Sequence, residues 1–237
     1  MGRVAHDEPR ALLATACKIL YTLGLSDYLG HPSVRLGEHV LIKPKHSPHV
    51  RGMDTMGAEH MVLIDLDGRL LEGEHEPPSE RFIHTEIYRA RPDVRSVVHT
   101  HQPMATLAGI VGLDIQPLLH LESQVVADGP VPTFACAELV VNATLGQRLA
   151  HALGSHRVCH LQGHGVVSVG PSIQEAVLGA IHLEKLADFN YRVAVLGREP
   201  RVIPHAELAA LKTQLASPAG RWAYYAELAG VHQARFL

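Results

Sequence analysis

The chain has 237 residues, 46% of them hydrophobic and 19% charged, the balance of a globular protein with one large core. A net charge of −3 with no basic block argues against nucleic acid or an anionic membrane as the main partner. No stretch approaches the roughly 20 apolar residues of a membrane span, and the amino terminus lacks an apolar signal core.

Cys17, Cys136 and Cys159 are scattered and odd in number, which suits free thiols in a cytoplasmic protein better than disulfides. No repeat, low-complexity tract or linker interrupts the chain, so a single domain over residues 1–237 is expected.

The first predicted element is a helix opening at Asp7 or Glu8-Pro9, with an apolar stripe of Leu12, Leu13, Ala16, Cys17, Leu20 and Leu23 and a stop at Gly24. Four β-like runs follow: Ser33 to Leu36, Val40 to Ile42, Met61 to Asp65 and Arg69 to Leu71. Asp67-Gly68 forms the turn between the last two.

Ser79 to Arg91 reads as a helix capped by Ser79, Arg95 to His99 as a strand and Met104 to Val111 as a helix. Pro117 to His120 is expected to follow an apolar strand. A second amphipathic helix spans Glu138 to Leu153, and strands Val158 to Leu161 and Val166 to Val169 flank a Gly163-His164-Gly165 turn. A long helix from Ser172 to Leu196 starts with a Ser172/Glu175 capping box. The tail from His205 is helical, broken at Ser217-Pro218 and Ala219-Gly220. Such interleaving predicts an α/β protein with a mixed, largely antiparallel central sheet.

The chemistry concentrates at Val97-Val98-His99-Thr100-His101. Side chains alternate along a strand, so His99 and His101 share a face at the strand's end. Glycines on both sides of His164 let its backbone pass close to a bulky neighbour. Three imidazoles with an open fourth position describe a catalytic divalent-metal site. In a chain with 18 histidines, His-x-His also arises by chance.

The remaining motifs bear on that choice. Pro78-Ser79-Glu80, His84, Tyr88, Arg91-Pro92-Asp93-Val94, Val98-His99-Thr100-His101, Gly163-His164-Gly165-Val166, Gly170, Glu175-Ala176 and Leu183-Glu184 together resemble the class II aldolase/adducin family. The resemblance runs from the first helix to about residue 200. It implies a three-layer α/β/α fold and a ring-shaped homotetramer with sites at subunit interfaces. It also implies one divalent metal per subunit on His99, His101 and His164, with Glu80 as a general acid/base. Imidazole donors suit Zn²⁺, Mn²⁺, Fe²⁺ or Co²⁺ without choosing among them.

Sugar-phosphate aldolases of the family cradle phosphate in small hydroxyl and glycine turns. The corresponding stretches here are Gly30-His31-Pro32-Ser33, Lys43-Pro44-Lys45-His46 and Pro78-Ser79, which are bulkier and cationic. They resemble the branches that decarboxylate hydroxylated aromatic acids or their ring-cleavage products. In that resemblance His31, Arg35, Lys45, His46 and Ser79 are the candidate substrate-binding residues, although Lys43, Lys45 and His46 could equally form a solvated loop. His120 is a candidate proton-transfer group, or else a satisfied core residue. His160 sits inside a strand with no clear direction and is left out of the site. Tyr224 and Tyr225 pack the tail helix or close over a neighbouring site, and His182, Glu184 and Asp188 read as structural.

The expected reaction is therefore metal-dependent decarboxylation of a hydroxy- or oxo-substituted aromatic or dienoic acid, with an enolate stabilised by the metal. The partner is a small carboxylate, not nucleic acid or membrane. The alternative is an aldolase or epimerase acting on a sugar phosphate or hydroxy acid at the same metal. An iron oxygenase and a non-catalytic adducin-like module are further readings, and intact His99, His101, His164 and Glu80 speak against the latter.

Overall fold

A computed structural model describes residues 6–214 and 217–230. Eight strands form one sheet in the order β4-β3-β2-β1-β5-β8-β7-β6. They are β1 (His31–Leu36), β2 (His39–Ile42), β3 (Val62–Asp65), β4 (Leu70–Glu72), β5 (Ser96–Thr100), β6 (Thr133–Phe134), β7 (Val158–Leu161) and β8 (Gly165–Gly170). Every neighbouring pair is antiparallel except β6 with β7. This is the mixed, largely antiparallel sheet that the sequence predicts.

Helices cover both faces, and strand alternation explains why. Leu41, Leu63 and Val98 point into a core closed by α1 (Asp7–Thr22), α5 (Ile173–Leu196) and α7 (Ala219–Leu228). Their neighbours Val40, Ile42, Val62, Ile64 and Val97 point the other way, into a core closed by α2 (Phe82–Ala90) and α4 (Ala143–Leu153). A third apolar cluster lies between α3 (Pro103–Val111), α5 and the edge of β7 and β8. The result is an α/β/α sandwich. Among the described residues, no helix is long and apolar enough to cross a membrane.

Four departures from the sequence expectation exceed one residue. Strand β1 begins two residues early, at His31, because His31 pairs with His99 of β5. Helix α2 begins at Phe82; Ser79 sits in a preceding turn and caps nothing. Helix α4 begins at Ala143, where Asn142 Oδ1 accepts the Leu145 N–H at 3.0 Å, leaving residues 138–141 irregular. No strand precedes His120; residues 113–118 are irregular and lead into a 3-10 turn, Glu122–Val126.

The Ser172 cap of α5 is as expected, accepting the Glu175 N–H at 3.2 Å. In the tail, α6 (His205–Gln214) and α7 leave the break near Ser217-Pro218, whereas Ala219-Gly220 lies inside the first turn of α7.

Candidate active site

The register of the three central strands creates the site. His31 at the start of β1 pairs with His99 near the end of β5, and His99 pairs with Val167 near the start of β8. The β7–β8 turn carrying His164 therefore hangs beside the end of β5. Gly163 takes φ +67°, and a Cβ on Gly165 would strike the Thr100 carbonyl oxygen and stand 2.9 Å from His101 Cδ2. The close approach requires glycine at 165, and the left-handed backbone favours glycine at 163.

Three imidazoles converge here. Ring centroids lie 4.8 Å apart for His99 and His101, 4.9 Å for His99 and His164, and 5.0 Å for His101 and His164. One nitrogen from each lies within 4.8 Å of the other two. His99 is fully buried and its Nδ1 faces the Val166 carbonyl at 2.9 Å, so the hydrogen sits on Nδ1 and Nε2 keeps its lone pair. That Nε2 is 3.0 Å from His101 Nε2. Two nitrogens bound to one tetrahedral ion at 2.0–2.1 Å would stand about 3.3 Å apart, so this donor set fits a divalent cation.

Burial keeps His99 and His101 neutral, as ligation requires. It lowers His99 well below the usual histidine range, with His101 and His164 adding to the effect. Burial, then His164, brings His101 down to about 4.

Glu80 sits on the turn ahead of α2. Its Oε2 is 3.5 Å from His164 Nε2, and its Oε1 accepts the Val140 N–H at 3.0 Å. The irregular segment before α4 thus holds the carboxylate against the histidines. By distance alone, Glu80, His31 and His99 also form a possible ligand trio.

A cavity of about 670 Å³ opens onto this cluster. His31, Lys45, His46, Ser79, Glu80, His101 and His164, all singled out in the sequence, line it. Lys45 and His46 are exposed at the rim: Lys45 Nζ is 3.7 Å from Glu76, and the His46 ring meets the Tyr28 ring edge-on at 5.0 Å.

Two expected residues are elsewhere. Arg35 lies four residues along β1 from His31, where its guanidinium binds the Tyr88 and Gly37 carbonyls at 2.7 and 2.9 Å and approaches Glu38. It is a structural cation, and its assignment to substrate is corrected on that ground. His120 is exposed on the loop before the 3-10 turn and outside the cavity of its own chain, because the strand expected to aim it does not form.

Lys43 carries more weight than the sequence suggests. It ends the apolar run Val40-Leu41-Ile42, is 2% exposed and lines the cavity, with Nζ donating to the Tyr28 carbonyl at 3.1 Å. Burial lowers its pKa, and among the described residues no carboxylate lies within ion-pair distance. The signal was a cation closing the buried run Val40-Leu41-Ile42. Tyr28 and Leu139 complete the wall.

His31 is also held from behind. Its Nδ1 is 2.7 Å from His84 Nε2, His84 Nδ1 is 2.6 Å from Ser33 Oγ, and Ser33 Oγ is 2.7 Å from the Tyr88 hydroxyl. The residues expected to be structural behave so. Glu184 accepts the Met104 and Ala105 N–H groups at the start of α3, Asp188 pairs with Arg192, and Tyr225 packs the tail helix, where its hydroxyl binds Lys185.

A family profile described as the class II aldolase and adducin N-terminal domain matches residues 11–191. The chain belongs to this family.

Within the class II aldolase family, the chain is 36% identical over 217 residues to 3,4-dihydroxyphthalate decarboxylase of Arthrobacter keyseri, covering 88% of each protein. It is 37% identical over 210 residues to the enzyme of the same name from Terrabacter sp. (strain DBF63), covering 85% of this chain and 88% of that one. The solved structure of an aldolase II superfamily protein from Pseudomonas syringae matches the fold with a TM-score of 0.80 at 24% identity, over 97% of this chain and 96% of that one.

Proposed function

We propose that the chain is a divalent-metal-dependent decarboxylase of a hydroxylated aromatic carboxylic acid, of the kind its dihydroxyphthalate-decarboxylase relatives are named for. The observation that carries the reading is the pairing, in one cavity, of a three-histidine cluster with a buried lysine that makes no ion pair and feels the Asp27 carboxylate only at longer range. A buried ammonium is costly unless an anion compensates it, and a substrate carboxylate supplies that anion.

His99, His101 and His164 would hold the ion, which when bound polarises adjacent substrate oxygens and takes up developing negative charge. Lys43 orients a carboxylate, with Lys45 and His46 at the rim. In the reaction the bond from ring carbon to carboxyl carbon breaks, CO₂ leaves, and the electron pair stays on the ring, delocalised towards its oxygens. Glu80 is the group placed to return a proton to the vacated carbon. A dienoic acid with the same oxygen pattern would fit the same steps.

The identity of the ion among Zn²⁺, Mn²⁺, Fe²⁺ and Co²⁺ and a homotetrameric ring with sites between subunits belong to the same proposal. Exposed Leu139 and Val141, beside the cavity, support an edge covered by a second copy of the chain. The test is a product inventory: metal-replete protein with dihydroxylated aromatic acids, ring-cleavage dienoates and sugar phosphates, with released CO₂ monitored. Release from an aromatic or dienoic acid is expected. Efficient cleavage of a sugar phosphate with no CO₂ from any acid would overturn the reading in favour of an aldolase.

A further inference from the structure

The hydrogen bonds behind His31 form a line of four buried groups. His31 and Ser33 share a face of β1 by strand alternation, and His84 and Tyr88 share a face of α2 one turn apart. The two pairs interlock, giving His31–His84–Ser33–Tyr88 with links of 2.7, 2.6 and 2.7 Å. His84, Ser33 and Tyr88 are fully buried and His31 nearly so.

Each group is neutral and contributes one hydrogen. Burial alone brings His84 down to about 3, so it is uncharged at neutral pH, and burial pushes the Tyr88 phenol up. Four hydrogens therefore serve three links, and the direction of the line is decided at its ends. Among the described residues the Tyr88 hydroxyl has one hydrogen-bond partner, Ser33 Oγ. The phenol hydrogen then has Ser33 Oγ as its acceptor.

The Ser33 hydroxyl must in turn donate to His84 Nδ1, and His84 Nε2–H must donate to His31 Nδ1. The hydrogen of His31 is left on Nε2. The opposite direction would strand the phenol hydrogen in a buried site, at about 1–3 kcal/mol.

We propose that the His84–Ser33–Tyr88 chain fixes His31 as its Nε2–H tautomer, so that His31 serves the cavity as a hydrogen-bond donor to a substrate carboxylate oxygen and not as a metal ligand. Distance alone leaves the choice open, since His31, Glu80 and His99 stand close enough to share an ion. The tautomer decides it: a nitrogen that carries hydrogen has no lone pair for a metal. His84, Ser33 and Tyr88 are positioning residues that act through His31. The carboxylate as ligand rests on the decarboxylase reading, but the tautomer does not.

Neutron diffraction from crystals of the full chain exchanged into D₂O reads the tautomer directly. Deuterium on His31 Nε2 is the expected result; deuterium on Nδ1 with a bare Nε2 overturns the proposal. Ser33→Ala removes the hydroxyl that orders the line, and His31 should then show both tautomers; a single Nε2–D tautomer in that variant would overturn the role of the chain. A second measurement is independent of crystals of the variant. With Co²⁺ as the probe, His31→Gln should leave the visible absorption of the bound ion unchanged while raising KM for the acid about tenfold, the worth of one hydrogen bond to a charged group. An altered cobalt spectrum would make His31 a ligand and overturn the proposal. A protein that releases no CO₂ from any acid would refute the decarboxylase reading and leave the tautomer and cobalt results standing.

Discussion

Glu80 Oε2 lies 3.5 Å from His164 Nε2, and the other oxygen of the same carboxylate is held by the Val140 N–H. One side of Glu80 is thus fixed by the backbone while the other faces the histidine cluster. A carboxylate so tethered can move a proton without leaving its place.

Glu80→Gln is expected to keep the Val140 contact, because the amide oxygen still accepts that N–H. Fold and metal content should survive while turnover falls by about 10² to 10⁴, the range of one acid/base group. Steady-state rates with metal analysis on the same samples check this, and an unchanged rate would move proton transfer to another residue.

Changing His99, His101 or His164 to Ala should remove the bound divalent ion and with it the activity. Wild type should carry about one ion per chain by elemental analysis. Full metal content in a His99→Ala, His101→Ala double variant would contradict the ligand assignment.

Lys43→Met replaces a buried, unpaired ammonium with an apolar chain of similar length. Acid substrates should bind about 1.5–3 kcal/mol more weakly, the worth of a charge-assisted hydrogen bond. Thermal stability should hold or rise, since a buried charge without an ion pair is gone. Lys45→Ala, at the exposed rim beside Glu76, should have the smaller effect on KM. The reverse order would relocate the anion site to the rim.

Stability should fall in mild acid. Burial lowers His84 to about 3, and burial, followed by Arg221, Lys185 and Arg157, lowers His182 to about 3, against about 6.5 in the unfolded chain. Below pH 6.5 the unfolded state binds protons that the folded state refuses. Both contributions are therefore complete above pH 6.5 and decline as pH drops towards 3. Urea unfolding of metal-free protein at pH 7 and pH 5 should show the lower midpoint at pH 5; equal midpoints would contradict the buried, neutral state of these rings.

Much of the site was legible because it rests on short-range periodicity. The two-residue repeat puts His99 and His101 on one face, and the glycines around His164 announce a close approach that the register of β5 and β8 requires. The same repeat misled at Arg35. It shares a face with His31, but four residues at about 3.3 Å each carry it some 13 Å along the strand. There the Tyr88 carbonyl, in the last turn of α2, captures it.

His120 failed for a related reason, since its direction depended on a strand that the chain does not form. The late start of α4 was hidden as well. Residues 138–141 stay irregular, with the Val140 N–H bonded to Glu80 across 60 positions of sequence. Lys43 showed in the sequence only as one cation in a basic turn; its burial follows from its place at the end of a central strand.

The central claim is that this site exchanges CO₂ for a proton. Metal-replete protein incubated in D₂O with a 3,4-dihydroxylated aromatic acid tests it most directly, with CO₂ and the aromatic product quantified together. The account predicts equal amounts of the two, with a solvent deuterium at the vacated ring carbon. Unchanged aromatic acids throughout, alongside cleavage of a sugar phosphate by the same preparation, would contradict it.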